Sequence, residues 1–304
     1  NLNFDHPEVE RWMIEAFTYW VREFDVDGFR VDVAWGIRQR RPDFWPKWRR
    51  ALHRIRPDLL LLAEASARDP YYFTQGFDAA YDWNDQLGHS SMENAFTEPG
   101  RIGERLRAAL TNEGREFHED ALIFRFLNNN DTGPRFITRH GIDLTRVAAA
   151  MLLTLPGIPL VYTGEEVGAE FEPYKTPGPI SWEDRHGLRP YYQRLITLRR
   201  RLTCLHSRRW QLVSTLPMND TLGYIRYAPT ADSVALVLLN YSATDVMVAV
   251  ELPEEAASLT RTDVLVDVLH DETVTARADR LLEVPLPAFS ARVLCTPQVA
   301  SLIR

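Results

Sequence analysis

The sequence predicts an α/β domain of parallel strands and helices, followed by a smaller all-β antiparallel domain. Helical and strand-like patterns alternate through roughly the first two thirds of the 304 residues, which is typical of parallel strands joined by right-handed crossovers. From about Trp210 the pattern changes to short alternating runs between turn residues, which indicates antiparallel strands. Three of the apolar, strand-like runs also end on an acid. These acids would meet at one edge of the parallel sheet.

The helices are predicted from apolar residues that recur at intervals of three and four positions. The first of these segments directly follows Pro7, which supports a helix start there, since proline is favoured at the first position of a helix. This segment places Trp12, Met13 and Phe17 on one face. The predicted helices of the α/β domain span residues 8–24, 44–55, 102–110, 144–155 and 191–205.

The parallel strands are predicted from short apolar runs, which are typical of strands buried on both faces of a sheet. They span residues 27–33, 59–63, 77–82, 121–127 and 158–162. A closed (β/α)8 TIM barrel has eight strands. The sequence contains only about five such strands, which predicts a partial barrel. Natural proteins cover open sheet edges. We therefore expect a preceding segment of the same gene product, or a complementary chain, to supply the missing strands.

The C-terminal domain is predicted from runs in which apolar and polar residues alternate between Pro, Asn, Asp and Ser turns. The clearest runs span residues 221–227, 233–240, 245–251 and 291–295. This change of pattern places a domain boundary near Arg208. We expect the C-terminal portion of a catalytic barrel at residues 1–208 and an antiparallel β-sandwich domain at residues 209–304.

The composition excludes several classes of partner. The formal net charge of −7 argues against nucleic acid and anionic membrane surfaces, and no apolar run is long enough to span a membrane. The two cysteines, Cys204 and Cys295, match no metal or redox spacing. Their scarcity favours a cytoplasmic setting.

Three carboxylates are candidate catalytic groups because each one ends a predicted strand. The runs are Asp27-Gly-Phe-Arg-Val-Asp32, Leu60-Leu-Leu-Ala-Glu64 and Phe126-Leu-Asn-Asn-Asn-Asp131. Barrel enzymes keep their chemistry at the carboxyl ends of their strands. Arg30 lies two residues before Asp32, so both side chains point to the same side of the strand. The guanidinium would hold Asp32 ionised.

In this order the three motifs resemble the α-amylase superfamily, glycoside hydrolase family thirteen. Gly157-Ile-Pro-Leu-Val-Tyr162-Thr-Gly-Glu165 fits the same resemblance, and Asn1-Leu-Asn-Phe-Asp-His-Pro-Glu8 is similar to the stretch that leads into the family's third barrel helix. The resemblance covers roughly the first two thirds of the chain. It implies that the chain holds about strands four to eight of the barrel, followed by the family's C-terminal domain.

The resemblance implies a role for each carboxylate. Asp32 would be the nucleophile, Glu64 the acid that protonates the departing oxygen, and Asp131 the third carboxylate, which binds the hydroxyls of the distorted sugar. Arg30 would hold Asp32 ionised and oriented. The chemistry independently needs one ionised and one protonated carboxyl group at the bond that breaks.

Two positions depart from the family pattern. Asn130 occupies the position where the family usually has histidine. An amide can donate a hydrogen bond but carries no charge, so we expect weaker transition-state stabilisation or a shifted substrate range. Trp35 lies where the family often has a Lys-His pair, and it offers an indole face to a sugar. Glu165 and Glu166 are predicted to make hydrogen bonds within their loop.

The resemblance therefore implies a retaining α-glycoside hydrolase that acts on α-1,4-linked glucans such as starch, or on maltooligosaccharides. The bond cleavage needs no cofactor, and a structural calcium is not supported because the family's calcium ligands come largely from the missing region. An α-glucan transglycosylase and a non-catalytic, amylase-like scaffold or binding protein remain alternatives. We expect activity to depend on the missing N-terminal barrel segment.

Overall fold

The computed structural model describes residues 2–83, 91–111, 117–119, 121–176, 178–228, 233–259, 261–262, 264–275, 277–278 and 281–303. The chain forms two compact units. The first comprises Asn1–Ser90 and Glu113–Arg125, and the second comprises Ser91–Asn112 and Phe126–Arg304. Within the described ranges, no helix is long and apolar enough to cross a membrane.

The first unit contains a parallel sheet and its helices. Its elements are α1 (Pro7–Phe24), β1 (Gly28–Val31), α2 (Ala34–Arg40), α3 (Phe44–His53), β2 (Leu60–Ser66), α4 (Pro70–Gln75), β3 (Ala79–Tyr81) and β4 (Leu122–Phe126). β1 pairs with β2, β2 with β3 and β3 with β4, all in parallel. The predicted parallel arrangement is confirmed for these strands.

β1 and β2 approach each other closely at Gly28, the glycine of the first motif. A Cβ atom at this position would lie 2.1 Å from the carbonyl oxygen of Leu60, which is far inside van der Waals contact. Glycine therefore allows the register in which Gly28 lies opposite Leu60 and Val31 opposite Ala63. This register brings the residues that follow Val31 and Ala63 to the same edge of the sheet.

Helix α3 supplies the centre of the first unit's core. Trp45, Trp48 and Leu52 are completely buried because their three- and four-residue spacing places them on one face of the helix. The rings of Trp45 and Trp48 pack edge to face, with their centroids 5.2 Å apart. The Trp45 indole N–H donates a hydrogen bond of 3.2 Å to the carbonyl oxygen of Ala34. This bond ties α2 to the core.

The second unit contains helices and two antiparallel sheets. Its elements are α5 (Ile102–Thr111), α6 (Phe136–Thr154), β5 (Ile158–Leu160), α7 (Leu188–Arg201), α8 (Thr203–His206), β6 (Trp210–Val213), β7 (Thr215–Leu216), β8 (Thr221–Tyr227), β9 (Val234–Asn240), β10 (Val246–Val250), β11 (Val264–Asp267), β12 (Glu272–Thr275), β13 (Arg277–Ala278), β14 (Leu282–Leu286), β15 (Ser290–Cys295) and α9 (Pro297–Ser301). Short 3-10 helices span Glu93–Thr97, Glu165–Val167 and Glu254–Leu259.

The antiparallel sheets have the strand orders β12-β11-β15-β9-β8-β6 and β13-β14-β10-β7. Apolar residues from both sheets share one buried cluster. In β14 the buried residues Leu282, Val284 and Leu286 alternate with exposed ones, as expected for a strand with one buried face. The antiparallel architecture predicted for the C-terminal part of the chain is confirmed.

The helices differ from the predicted intervals in ways that have local causes. α6 includes residues on both sides of a kink at Gly141, whose φ of 77° is not helical. It therefore begins at Phe136, well before the predicted start at residue 144. The predicted helix at residues 191–205 is two helices, α7 and α8, separated by an extended Leu202. α2 and α4 were not predicted. They have 7 and 6 residues, too few for a helical period to be recognised.

Candidate active site

Arg30 connects two of the predicted catalytic carboxylates in the first unit. Its Nη1 donates a hydrogen bond of 2.5 Å to Asp32 Oδ1, and its Nη2 donates one of 2.6 Å to Glu64 Oε1. The third nitrogen, Nε, donates to the Tyr81 hydroxyl at 3.1 Å. A guanidinium can serve these partners together because its donors form a rigid planar fork. Arg30 therefore holds Asp32, which follows β1, close to Glu64, which lies inside β2. The predicted end of this strand at residue 63 is wrong, because β2 continues to Ser66, which still pairs with Tyr81 of β3.

The surroundings separate the proton affinities of the two carboxylates. The hydrogen bond from Arg30 lowers the pKa of Asp32, whose side chain is 74% exposed. Glu64 is only 4% exposed, and burial raises its pKa although the Val33 N–H and Arg30 act in the opposite direction. The pair can therefore hold one ionised and one protonated carboxyl group, the combination that acid-assisted displacement needs.

Val33 holds the second oxygen of Glu64 and was not found from the sequence. Its backbone N–H donates a hydrogen bond of 2.6 Å to Glu64 Oε2. Val33 adopts a left-handed conformation, with a φ of 49° and a ψ of 43°, immediately before α2. This conformation is strained for a β-branched residue, and such strain often lies at functional sites. It turns the chain sharply from β1 into α2, which aims the N–H at Glu64.

Tyr81 and Asp82 are further polar residues at the end of a strand that sequence reasoning missed. Both are buried, and they lie at the carboxyl end of β3, beside β2. Asp82 accepts a hydrogen bond of 2.5 Å from the buried Arg125. The criterion that identified the other acids, a strand that ends on a carboxylate, also applies to Ala79-Ala-Tyr-Asp82 and could have drawn attention to it.

The turn after β4 lies in the second unit and carries Asp131. Two buried asparagines brace it. Asn128 Oδ1 accepts a hydrogen bond of 2.6 Å from the N–H of Phe136, and Asn129 Oδ1 accepts one of 2.7 Å from the N–H of Asp131. Asp131 itself is half-buried. The turn is therefore closed by its own side chains, and the predicted third carboxylate projects from a fixed backbone.

The remaining predicted residues lie on the surfaces of their units. In the second unit, Asn130 Nδ2 donates a hydrogen bond of 3.1 Å to the hydroxyl of Tyr174, a highly exposed residue that the sequence did not single out. In the first unit, Trp35 lies in the first turn of α2, with 41% of its surface exposed. The structure thus brings Arg30, Asp32 and Glu64 together in one unit, while Asn130 and Asp131 adjoin each other in the other.

The described residues contain no group of three or more His, Cys, Asp or Glu side chains that could hold a metal ion. In the candidate active site Arg30 forms ion pairs with both Asp32 and Glu64.

Comparison with known proteins places residues 1–187 in the family model for the α-amylase catalytic domain. A cyclomaltodextrinase from Geobacillus thermopakistaniensis (strain MAS1) is 30% identical over 302 residues, which are 95% of this chain and 48% of that protein. An intracellular maltogenic amylase from Bacillus subtilis (strain 168) is 28% identical over 260 residues, covering 78% of this chain and 40% of that protein. The chain spans about half the length of the curated relatives it matches.

A solved structure has a similar fold. The crystal structure of a noncanonic maltogenic alpha-amylase, AmyB from Thermotoga neapolitana, superposes with a TM-score of 0.80, covering 97% of this chain and 67% of that one. The sequence identity in this comparison is 20%, so the similarity concerns the fold.

Proposed function

The chain belongs to the α-amylase catalytic-domain family, and from this premise we propose that it is the C-terminal part of a retaining α-glycoside hydrolase acting on α-1,4-linked glucans or maltooligosaccharides. The observation that carries the proposal is the pair of carboxylates, Asp32 and Glu64, that share the guanidinium of Arg30. The relatives support the substrate class, since they are named cyclomaltodextrinase, maltogenic amylase and neopullulanase.

Cleavage would proceed by double displacement. An oxygen of Asp32 attacks the anomeric carbon while the glycosidic C–O bond breaks and Glu64 gives its proton to the departing oxygen. Glu64 then takes a proton from water, whose oxygen attacks the same carbon and releases Asp32. Retaining enzymes keep the two carboxyl groups about 5 to 5.5 Å apart, and two carboxylates bonded to one guanidinium suit such a pair. Each attack inverts the anomeric carbon, so the product retains the α configuration.

Three further residues have proposed binding roles. Asp131, on its braced turn, would accept hydrogen bonds from the hydroxyls of the distorted sugar. The side-chain amide of Asn130, which donates a hydrogen bond to the Tyr174 hydroxyl, would also donate one to the sugar. Trp35 would offer its exposed indole face to the apolar face of a sugar ring. Completion of the site by Asp131 is part of this proposal.

We also propose that an N-terminal barrel segment packs against the first unit. Among the described residues β1 pairs with β2 alone, so its other edge is available for a further strand. Helix α1 exposes about half of the surface of several aromatic side chains: Trp12, Tyr19, Trp20 and Phe24. Trp20 and Phe24 lie against each other with centroids 4.7 Å apart. Exposed apolar surfaces of this kind mark interaction sites, and the greater length of the relatives is consistent with such a segment.

The test is cleavage of maltoheptaose by the chain together with its N-terminal barrel segment, comparing the wild type with Asp32→Asn. We expect the substitution to lower kcat by roughly 10⁴-fold or more, as loss of a catalytic nucleophile does. Asp25→Asn is the matched control, since it makes the same change at an exposed carboxylate bonded to Arg56. The control should cleave like the wild type.

The products distinguish the alternatives. Proton NMR of the first product should show the α-anomer. Longer oligosaccharides formed in place of glucose and maltose would identify a transglycosylase. If the assembled wild type is folded and binds maltooligosaccharides without cleaving them, a non-catalytic binding protein is the better description and the hydrolase proposal is wrong.

A further inference from the structure

We propose that Glu165 is a positioning residue for Asp131, acting through Asn128. Glu165 lies in the second unit, in the short 3-10 helix Glu165–Val167, and only 3% of its surface is exposed. Nothing in the displacement chemistry uses it. The inference rests on the proposed function, because it assigns Glu165 to the site that contains Asp131.

Both oxygens of the Glu165 carboxylate are engaged by buried partners from different elements. Oε2 accepts a hydrogen bond of 2.6 Å from Asn128 Nδ2, and Oε1 accepts one of 3.0 Å from the hydroxyl of Tyr192 on α7. Its backbone N–H donates to the carbonyl of Tyr162 at 2.8 Å. A buried carboxylate in this setting is stable only when its oxygens are satisfied. Glu165 therefore fixes Asn128 relative to α7.

Asn128 connects Glu165 to the turn that carries Asp131. Its Nδ2 points to Glu165, which fixes the side chain so that Oδ1 can accept from the N–H of Phe136, the first residue of α6. The turn between Asn128 and Phe136 contains a second side-chain hydrogen bond, in which Asn129 Oδ1 accepts from the N–H of Asp131. Without its anchor Asn128 can rotate and release the start of α6. The backbone of Asp131 would then move, and small displacements of groups at an active site are costly to catalysis.

The chemistry of the network predicts which substitution preserves it. Burial raises the pKa of Glu165 to about 7. The charged and titratable side chains that act on the carboxylate are Arg135 and Tyr192. A protonated carboxyl can donate to the Tyr192 oxygen and still accept from Asn128, and a glutamine amide can do the same.

The experiment compares Glu165→Ala, Glu165→Gln and the matched control Glu166→Ala, each in the chain with its N-terminal barrel segment and with maltoheptaose as substrate. We expect Glu165→Ala to lower kcat by about 10²-fold with a smaller change in KM. Glu165→Gln should stay within roughly tenfold of the wild type, and Glu166→Ala should match it. Equal losses in the two alanine variants, or a folded Glu165→Ala variant with wild-type kcat, would overturn the inference.

A second measurement does not depend on activity. Hydrogen–deuterium exchange of the peptide that covers residues 128–136 should be roughly tenfold or more faster in Glu165→Ala, since a buried hydrogen-bond partner is lost. It should be unchanged in Glu165→Gln. Unchanged exchange in Glu165→Ala overturns the inference even if this variant cleaves maltoheptaose more slowly. If the wild type cleaves no glucan, the proposed function fails while the exchange data still decide whether Glu165 holds the turn.

Discussion

At the scale of single residues, Arg30 makes two carboxylates chemically different. It donates to both, but Asp32 is exposed while Glu64 is buried, so the same guanidinium favours ionisation at Asp32 and only partly offsets burial at Glu64. Tyr81 in turn accepts from Nε and sets the orientation of the guanidinium. The difference in pKa thus depends on a residue 51 positions away from Arg30 in the sequence.

Replacing Tyr81 with phenylalanine should weaken catalysis without unfolding the protein. The substitution removes the acceptor of the Arg30 Nε–H, a charge-assisted hydrogen bond whose loss costs about 1.5 to 3 kcal/mol. We expect kcat/KM for maltoheptaose to fall roughly 10- to 100-fold. Tyr227→Phe, which removes a hydroxyl bonded to Gln211 in the second unit, is the control. Equal kcat/KM in the two variants would contradict the role of Tyr81.

Glu165 should make the free energy of unfolding depend on pH. Its pKa in the folded protein is raised from 4.5 to about 7, so folding disfavours the ionised form. Its contribution to stability is therefore fully present below about pH 4.5 and is lost as the pH rises through 7, by roughly 3 kcal/mol in total. In urea titrations between pH 4.5 and 8, the difference between wild type and Glu165→Gln should show this loss.

His140 acts in the opposite direction, because burial lowers its pKa from 6.5 to about 4. Its contribution to stability is present above pH 6.5 and is lost as the pH falls toward 4. Both proteins contain His140, so its effect cancels in the comparison of wild type with Glu165→Gln. Parallel pH dependence in the two proteins would contradict the assignment to Glu165.

At the scale of the elements, glycines permit close contacts that a larger residue would prevent. Gly28 allows β1 to lie against β2, and Gly103 allows α5 to lie against β8, where a Cβ atom would meet the carbonyl oxygen of Thr221 at 2.3 Å. The start of α5 is also held by the Asp220 side chain, which accepts from the Ile102 N–H at 3.0 Å. The contact between α5 and β8 is therefore made by backbone as much as by side chains.

Gly103→Ala should destabilise the second unit. The new methyl group can be accommodated only if α5 moves away from β8, an overpacking that costs about 1 to 3 kcal/mol. Thermal unfolding followed by circular dichroism should show the lower stability. Ala108→Ser, on the exposed side of α5, is the control and should leave the melting temperature nearly unchanged. An unchanged melting temperature in Gly103→Ala would mean that α5 and β8 leave enough space between them for a methyl group.

At the scale of the whole molecule, the exposed aromatic residues of α1 lead to a prediction about assembly. Adding the N-terminal barrel segment to the purified chain should shift tryptophan emission to shorter wavelength, since Trp12 and Trp20 become buried, and should start cleavage of maltoheptaose. The double variant Trp12→Ser with Trp20→Ser should assemble poorly. Trp182→Ser is the control because Trp182 is 52% exposed and lies in the second unit.

Cleavage at ordinary enzyme rates by the chain alone, in a preparation shown to be monomeric, would contradict this dependence on the segment. A blue shift of equal size in the double variant would show that the segment binds elsewhere.

The order of the predicted helices and strands, and the acid that follows β1, could be predicted from the sequence alone, whereas Glu64 was expected at the end of its strand and lies inside β2. Both depend on local properties: apolar spacing determines the element, and the last residue of an apolar run determines what stands at its end. The parallel pairing of β1 to β4 followed from the same alternation. Where local patterns were too short, as in α2 and α4, prediction failed.

Only the tertiary structure decided the partners of the site's side chains. Arg30 reaches Glu64 across 34 positions of sequence, and Glu165 reaches Asn128 across 37. The left-handed backbone of Val33, which aims an N–H at Glu64, has no signal in its own residue type. Hydrogen bonds depend on distance and direction in space, and both are set by strand register and helix packing far along the chain, so a local pattern carries no information about them.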